Sequence, residues 1–109
     1  MSDLGPVFHA LADRRRRTAL AWLQEHHVVS LPDLAEIVAE DELGEDVTEI
    51  SGERVREIYL SLYHTHVPLL TDAKLVRYDQ EEDLVSRTEE TAALLASVRD
   101  SVDRVMRNG

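Results

Sequence analysis

The 109-residue sequence contains no cysteine, a single lysine and few aromatic residues. Without cysteine, the chain can form no disulfide bond, thiolate metal site or cysteine nucleophile. Because aromatic residues make up only 5% of the sequence, we expect helices that pack through leucine, valine, isoleucine and alanine. No apolar run approaches the roughly 18 residues that a membrane-spanning helix requires, and the amino terminus lacks the apolar core of a signal peptide. We therefore expect a cytoplasmic protein that does not bind membranes.

Catalytic and cofactor motifs are also missing. The sequence contains no glycine-rich phosphate loop, no HExxH motif and no serine beside a plausible histidine–aspartate set. His64 and His66 are two residues apart, so on a helix their side chains point about 200° apart and cannot bind one ion together. We expect no enzymatic activity, no cofactor and no bound metal.

Acidic residues outnumber basic residues by 22 to 12, which gives a formal net charge of −10. All the basic residues except Lys74 are arginines. The acids are clustered, with seven in residues 40–53 and four in residues 79–83. Such a charge could repel nucleic acid, or it could be the solvated surface of an ordinary cytosolic protein. It could also be an adaptation to molar salt, where the Debye length is about 3 Å. We favour this last interpretation and expect a halophilic protein.

Apolar periodicity and capping residues predict five helices and three short strands. Asp13, Ser30 and Thr88 stand where helix N-caps are expected. The acidic stretch EDELGEDVTEIS, residues 40–51, is predicted to be a loop with at most one helical turn. The predicted elements are, in chain order, helices at 3–12 and 14–26, a strand in HHVVS, a helix from Ser30, a helix at 53–73, strands at about 75–79 and 84–87, and a helix at about 89–107.

This order predicts a mainly α fold with a small β-hairpin (α+β), namely a winged helix-turn-helix with an added C-terminal helix. Three helices closed by a hairpin form the arrangement that places the last of the three, here residues 53–73, in the major groove of DNA. We assign residues 1–88 to the winged helix-turn-helix domain and residues 89–109 to the C-terminal helix.

The helix predicted over residues 53–73 has two different faces. Its apolar arc, expected in the core, consists of Val55, Ile58, Tyr59, Leu62, His66, Leu69, Leu70 and Ala73. Its outer face mixes residue types that suit base edges and thymine methyl groups. The predicted DNA-binding residues are Arg54, Arg56, Ser61, His64 and Thr65. Outward-facing Leu60, Tyr63 and Val67 would suit a protein-binding surface instead. Pro68 predicts a kink near residues 64–67.

Arginines outside this helix are candidates for contact with the DNA backbone. The only dense basic cluster consists of Arg14, Arg15, Arg16 and Arg17. These arginines could hold phosphates beside the recognition helix, or they could pair with acids such as those of residues 40–46. Arg77 and Arg87 lie on the predicted wing strands. They could contact the DNA backbone or be cross-strand partners of acids.

The last predicted helix carries a second apolar stripe, formed by Leu94, Leu95, Val98, Val102, Val105 and Met106. Three helices and the hairpin already close the core, so this stripe either covers the first helix of the same chain or pairs with a second chain. We favour a homodimer interface. A two-fold dimer would place the paired recognition helices about 34 Å apart, which is one turn of double-stranded DNA.

The segments VFHALADRRRRTALAWL, VSLPDLAEIVA and RVREIYLSLYHTHVPLLTDAKLVRYD together resemble the small winged helix-turn-helix regulators of haloarchaea, which are distantly similar to ArsR-type repressors. The resemblance implies an archaeal winged-helix protein that is often dimeric and usually regulates transcription. Lys74 in place of the usual helix-ending glycine, the long loop before the recognition helix, and the acidic wing tip at Asp79–Asp83 depart from the family pattern. The ArsR metal ligands cannot be carried over, because the chain has no cysteine.

Two functions follow as hypotheses. The first is a dimeric, sequence-specific DNA-binding transcriptional regulator that acts at high salt. The second is a winged-helix protein–protein interaction module that does not bind DNA directly. In the second hypothesis, the acidic wing and the outward apolar residues contact another protein, such as a component of the transcription machinery.

Overall fold

The computed structural model describes residues 5–93, 96, 97, 100 and 104. The fold is mainly α with a small antiparallel sheet, which confirms the predicted fold class. The elements are α1 (Gly5–Leu11), α2 (Arg14–His26), β1 (Val28–Ser30), α3 (Leu31–Leu43), a 3-10 turn (Val47–Glu49), α4 (Gly52–Ser61), a π-turn (Leu62–His66), α5 (Val67–Asp72), β2 (Val76–Asp79) and β3 (Leu84–Arg87). Residues 89–93 are also helical.

The three strands form one antiparallel sheet in the order β1-β3-β2. Val85 in the central strand pairs with Val29 on one side and with Tyr78 on the other. The hairpin of β2 and β3 is the wing, and α3 followed by α4 is the helix-turn-helix. This element order is that of a winged helix-turn-helix.

Local capping signals set the starts of the helices. The carboxylate of Asp13 accepts hydrogen bonds from the backbone N–H groups of Arg15, at 2.8 Å, and Arg16, at 3.3 Å. The Ser30 hydroxyl accepts from the N–H of Asp33 at 3.2 Å, and Thr88 Oγ1 accepts from the N–H of Thr91 at 3.2 Å. All three predicted N-caps are therefore confirmed.

Helix α3 is longer than predicted, because residues 40–43 of the acidic stretch are helical. The helix ends at Gly44, whose φ of 65° lies in the left-handed region that glycine adopts without strain. Buried Ala39 and pairing of its last acids with α2 hold this final turn in place. Only residues 44–51, which include the 3-10 turn, connect α3 to α4.

The long helix predicted over residues 53–73 is divided by the π-turn, which lies where the kink was expected. The apolar arc faces the core as predicted, with Ile58, Leu62 and Leu70 fully buried. A π-turn contains one extra residue, which sets the following positions back by about 100° around the axis, so that Val67 takes the inward direction expected for His66. Val67, predicted to face outward, is consequently only 2% exposed.

The core lies between α2, α3, the α4–α5 segment and the sheet. Its largest fully buried side chains include Leu20, Leu23, Leu31, Leu34, Ile58, Leu62, Leu70 and Leu75. Helix α1 contributes little to it: Val7 and Ala10 are buried, but Phe8 is 60% exposed.

The C-terminal segment begins against the body of the domain. Thr91 is fully buried, and its hydroxyl donates to the carbonyl of Leu75. The Thr88 hydroxyl donates to the carbonyl of Lys74 at 3.0 Å. The six residues predicted to form a dimer interface, Leu94, Leu95, Val98, Val102, Val105 and Met106, lie outside the described residues. Within the described part of the chain, every helix is too short or too polar to cross a bilayer.

Candidate nucleic-acid interface

The outer face of α4 and the π-turn carries the predicted DNA-binding residues. Arg54, Arg56, His64 and Thr65 are exposed, and Ser61 is half-buried. All five lie within the two consecutive elements that follow the Ser51 N-cap, whose hydroxyl accepts from the N–H of Arg54 at 3.2 Å. The structure therefore presents the five side chains along one helical segment without burying any of them.

The charge of α4 itself is balanced. Its four charged residues are Glu53, Arg54, Arg56 and Glu57, which sum to zero. Arg54 lies 3.6 Å from the carboxylate of Glu57, whereas Arg56 forms no ion pair with any residue that the structure describes. Against a chain with a net charge of −10, this helix is a locally neutral strip with one unpaired guanidinium.

Tyrosine hydroxyls fasten the wing to the recognition helix. The carboxylate of Asp83 in the wing accepts a hydrogen bond from Tyr59 of α4 at 2.8 Å and another from Tyr78 of β2. Gln80 adds a second link from the wing, to the π-turn, by donating to the Tyr63 hydroxyl at 3.0 Å. The hydrogen bond to Asp83 raises the pKa of Tyr59, and burial together with the same carboxylate raises the pKa of Tyr78. Both hydroxyls consequently remain protonated donors.

The wing tip divides its four acids between two roles. Asp83 faces inward, and its φ of 56° places it in the left-handed region. Asp79, Glu81 and Glu82 are exposed, and the Asp79 carboxylate accepts from the backbone N–H groups of the two glutamates at 3.1 and 3.2 Å. Three carboxylates at the tip therefore face solvent beside the α4 surface.

Two arginines of the basic cluster pair with the end of α3. Arg14 donates to the carboxylate of Asp41 at 3.0 Å and to its carbonyl at 2.9 Å. Arg15 makes a two-pronged contact with Glu42. Hydrogen bonds from Arg14 and Thr18 lower the pKa of Asp41. Of the two interpretations of this cluster, pairing with nearby acids is the one that the geometry supports for Arg14 and Arg15.

The other two arginines bind the carbonyl end of α1. Arg16 is 7% exposed and donates to the carbonyls of Ala10, at 2.9 Å, and His9, at 3.0 Å. Arg17 donates to the carbonyl of Leu11 at 2.8 Å. The prediction that Arg16 contacts phosphate is therefore wrong, because its donors are used inside the domain. The burial of Arg16 could have been predicted from its position, because it lies on the same face of α2 as the buried residues Ala19, Leu20 and Leu23, at i, i+3, i+4 and i+7 spacing.

His66 is a core histidine, as predicted. Its Nδ1 atom lies 3.1 Å from the Arg16 guanidinium and 3.8 Å from the Asp13 carboxylate. Because a guanidinium can only donate, Nδ1 is the acceptor and the ring proton resides on Nε2. Burial lowers the pKa of His66, although the charge of Asp13 opposes this shift. The π-turn is thus tied to the α1–α2 junction through a neutral imidazole.

The two wing arginines differ in their surroundings. Arg77 is exposed and lies opposite Ser86 in the ladder, so it has no acidic cross-strand partner. Arg87 is half-buried and contacts the carbonyl of Gln24 and, at 3.2 Å, the Nε2 atom of His27. This side chain joins β3 to the end of α2, and its assignment to the DNA backbone stays a prediction without support from its contacts. Arg77 remains a candidate.

The described part of the chain contains no metal-binding cluster. No three His, Asp or Glu side chains lie close enough together there to hold a metal ion. His66 contacts Arg16, whereas His64 is exposed with its ring edge-on to Tyr63 at a centroid distance of 5.0 Å. The two histidines thus have separate environments.

Comparison with protein-family models matches residues 8–86 to DUF7344, a domain of unknown function. The chain belongs to the DUF7344 family. The match begins in α1 and ends in β3, so the DUF7344 region contains the helix-turn-helix, the π-turn and the wing. No curated protein and no solved structure matches the chain.

Proposed function

We propose that the protein is a sequence-specific regulator that binds double-stranded DNA as a homodimer at high salt. The observation that carries the proposal is the α4 surface, which is neutral in charge and left exposed by the described residues of a chain with a net charge of −10. The described wing is fastened to this helix by Asp83, so helix and wing approach DNA as one body.

Specific side chains of this surface suit the major groove. Arg54 and Arg56 have the planar donor pattern that recognises the O6 and N7 atoms of guanine. Thr65 can hydrogen-bond to base edges, and Leu60, which is 39% exposed, can contact a thymine methyl group. Arg77 on β2 is placed for a backbone contact from the wing. Arg14, Arg15, Arg16 and Arg87 have no part in the proposal, since intramolecular partners occupy them.

High salt removes the main objection to this proposal, which is the net charge of −10. At molar salt the Debye length is about 3 Å, so distant carboxylates scarcely reach the duplex. Binding by counterion release weakens as salt rises, and the short-range contacts of α4 would then supply most of the affinity. The similarity to haloarchaeal winged-helix regulators, together with the apolar stripe in residues 89–109, supports a halophilic, archaeal, cytoplasmic dimer.

The test selects duplexes from a random-sequence library and measures their affinity by fluorescence anisotropy from low to molar KCl. We expect Arg54→Gln and Arg56→Gln each to weaken binding of the enriched duplex by about 5- to 100-fold, as for loss of a base contact worth 1–3 kcal/mol. The double substitution Glu53→Gln with Glu57→Gln should strengthen binding, because it removes two carboxylates from the same helix.

The matched control is Glu25→Gln with Glu36→Gln, an equal change in charge on the exposed surface of α2 and α3. We expect it to leave DNA affinity within about twofold of wild type, since screened charges beyond a Debye length contribute little. Failure of the folded protein to enrich any duplex at any salt concentration would refute DNA binding. It would favour the alternative, a protein interaction module that uses Leu60 and the acidic wing tip.

A further inference from the structure

A groove between α2, α3 and β1 lies on a part of the surface that the proposed DNA contact does not use. We define this α2–α3 groove by six residues, Trp22, Glu25, Val28, Asp33, Glu36 and Ile37. No residue of α4, the π-turn or β2 lines it. The groove is therefore available for a second ligand while α4 is engaged.

The floor of the groove is apolar and held in one arrangement. Trp22 and Ile37 are half-buried and pack against the core, while Val28 on the edge strand β1 is 47% exposed. The indole of Trp22 also stacks on the His26 ring at a centroid distance of 4.0 Å. A fixed aromatic anchor with neighbouring aliphatic side chains is typical of the centre of a protein interface.

The groove carries three unpaired carboxylates, of which Asp33 and Glu36 lie in the part beside β1. Glu25, Asp33 and Glu36 are exposed, and none of their carboxylates makes an ion pair with a residue that the structure describes. Arg14 and Arg17 line the same part of the groove as Glu25, but Arg14 pairs with Asp41 and Arg17 donates to the carbonyl of Leu11. The apolar floor and these carboxylates together define what could bind, namely apolar side chains flanked by cations.

We propose that the α2–α3 groove is a docking site for an amphipathic helix of a partner protein that carries leucine-type anchors flanked by arginine or lysine. Such a helix would lay its apolar face on Trp22 and Ile37. Its cations would meet Glu25, Asp33 and Glu36, which have no competing cation among the described residues. The described residues of the C-terminal segment, 96, 97, 100 and 104, do not line the groove.

Trp22 is the only tryptophan, so the full-length protein reports occupancy through its own fluorescence. The probe is a synthetic peptide of about 18 residues, long enough to form a helix, with leucine at i, i+3, i+4 and i+7 and arginine beside the stripe. A matched peptide has glutamate in place of arginine. We expect the basic peptide to shift Trp22 emission to the blue saturably, and the acidic peptide to bind at least tenfold more weakly.

The deciding variant is the double substitution Glu25→Gln with Glu36→Gln. It should lower the affinity for the basic peptide about fivefold, since exposed charge pairs contribute up to about 1 kcal/mol each. Its control, Glu53→Gln with Glu57→Gln on α4, should leave peptide binding unchanged. Equal binding of both peptides, or equal effects of both variants, would overturn the proposal. So would a red shift of Trp22 emission when the peptide-free dimer is diluted to monomer, because a second copy of this chain would then occupy the groove. The variant that tests DNA binding is the control for peptide binding, and the variant that tests peptide binding is the control for DNA binding. Either proposal can therefore fail while the other stands.

Discussion

Arg16 shows how one buried cation organises the entry to this fold. Its guanidinium joins two carbonyls of α1 to the Nδ1 atom of His66 in the π-turn. Asp13 lies beside it, where burial opposes ionisation but backbone hydrogen bonds from Arg16 and Arg15 lower the pKa of its carboxyl overall. A charged side chain in the apolar stripe of α2 thus binds groups of two other elements, α1 and the π-turn.

We expect Arg16→Ala to reduce the free energy of unfolding by about 3 kcal/mol, because buried acceptors lose their donor. Arg17→Ala is the matched control, since exposed Arg17 makes one hydrogen bond to the same helix end. It should cost less than about 1 kcal/mol. Urea unfolding followed by circular dichroism measures both. Equal losses would show that the carbonyls of α1 obtain no special support from the buried guanidinium.

His66 should make the stability of the domain depend on pH. Its folded-state pKa is lowered by burial, so the unfolded chain binds its proton first as pH falls. Stability is therefore full above the unfolded-state pKa of about 6.5 and is lost as pH falls through the folded-state value. Glutamine keeps an acceptor for Arg16, so His66→Gln should flatten the dependence of melting temperature on pH below about 6.5. The control is His64→Gln, at an exposed position, which should leave the dependence of melting temperature on pH as in the wild type. If both substitutions flatten this dependence equally, His66 does not cause it.

At the scale of elements, the wing depends on one carboxylate. Asp83 accepts from Tyr59 in α4 and Tyr78 in β2, and its backbone carbonyl accepts from the N–H of Leu31 at 2.8 Å. Asparagine tolerates the left-handed backbone of this position but is a weaker, uncharged acceptor. We expect Asp83→Asn to cost about 1–2 kcal/mol in urea unfolding. Glu82→Gln, on the same turn, should be neutral, and a similar cost for both substitutions would argue against the clamp.

Elements with local signals could be predicted, and those determined by distant contacts could not. Asp13, Ser30 and Thr88 start helices because a side-chain oxygen accepts from an N–H two or three residues later. The end of α3 depends instead on partners in α2, 27 residues away along the chain. Within the candidate site, the exposure of Arg56 followed from helical periodicity. The withdrawal of Arg87 toward Gln24 required the packing of β3 against α2.

At the scale of the whole molecule, only a few of the 22 acidic residues make contacts that stabilise the fold. Asp41 and Glu42 pair with arginines, and Asp13 and Asp83 hold helices and wing together. Most of the others are exposed, as at the wing tip and in the segment between α3 and α4. Because few cations oppose them, the folded state concentrates unbalanced charge that the extended chain would spread apart.

Screening should therefore stabilise the protein. We expect the melting temperature to rise with KCl, most steeply below about 0.3 M, because the Debye length shortens from about 30 Å at 0.01 M to about 8 Å at 0.15 M. Four exposed glutamates whose carboxylates have no partner among the described residues, Glu45, Glu49, Glu81 and Glu82, allow a matched test. Their joint replacement by glutamine changes the formal charge from −10 to −6, since four acids are removed. This variant should melt higher than wild type at low salt and respond less to KCl. Identical salt curves for the two proteins would mean that repulsion among surface acids does not limit the stability of the fold.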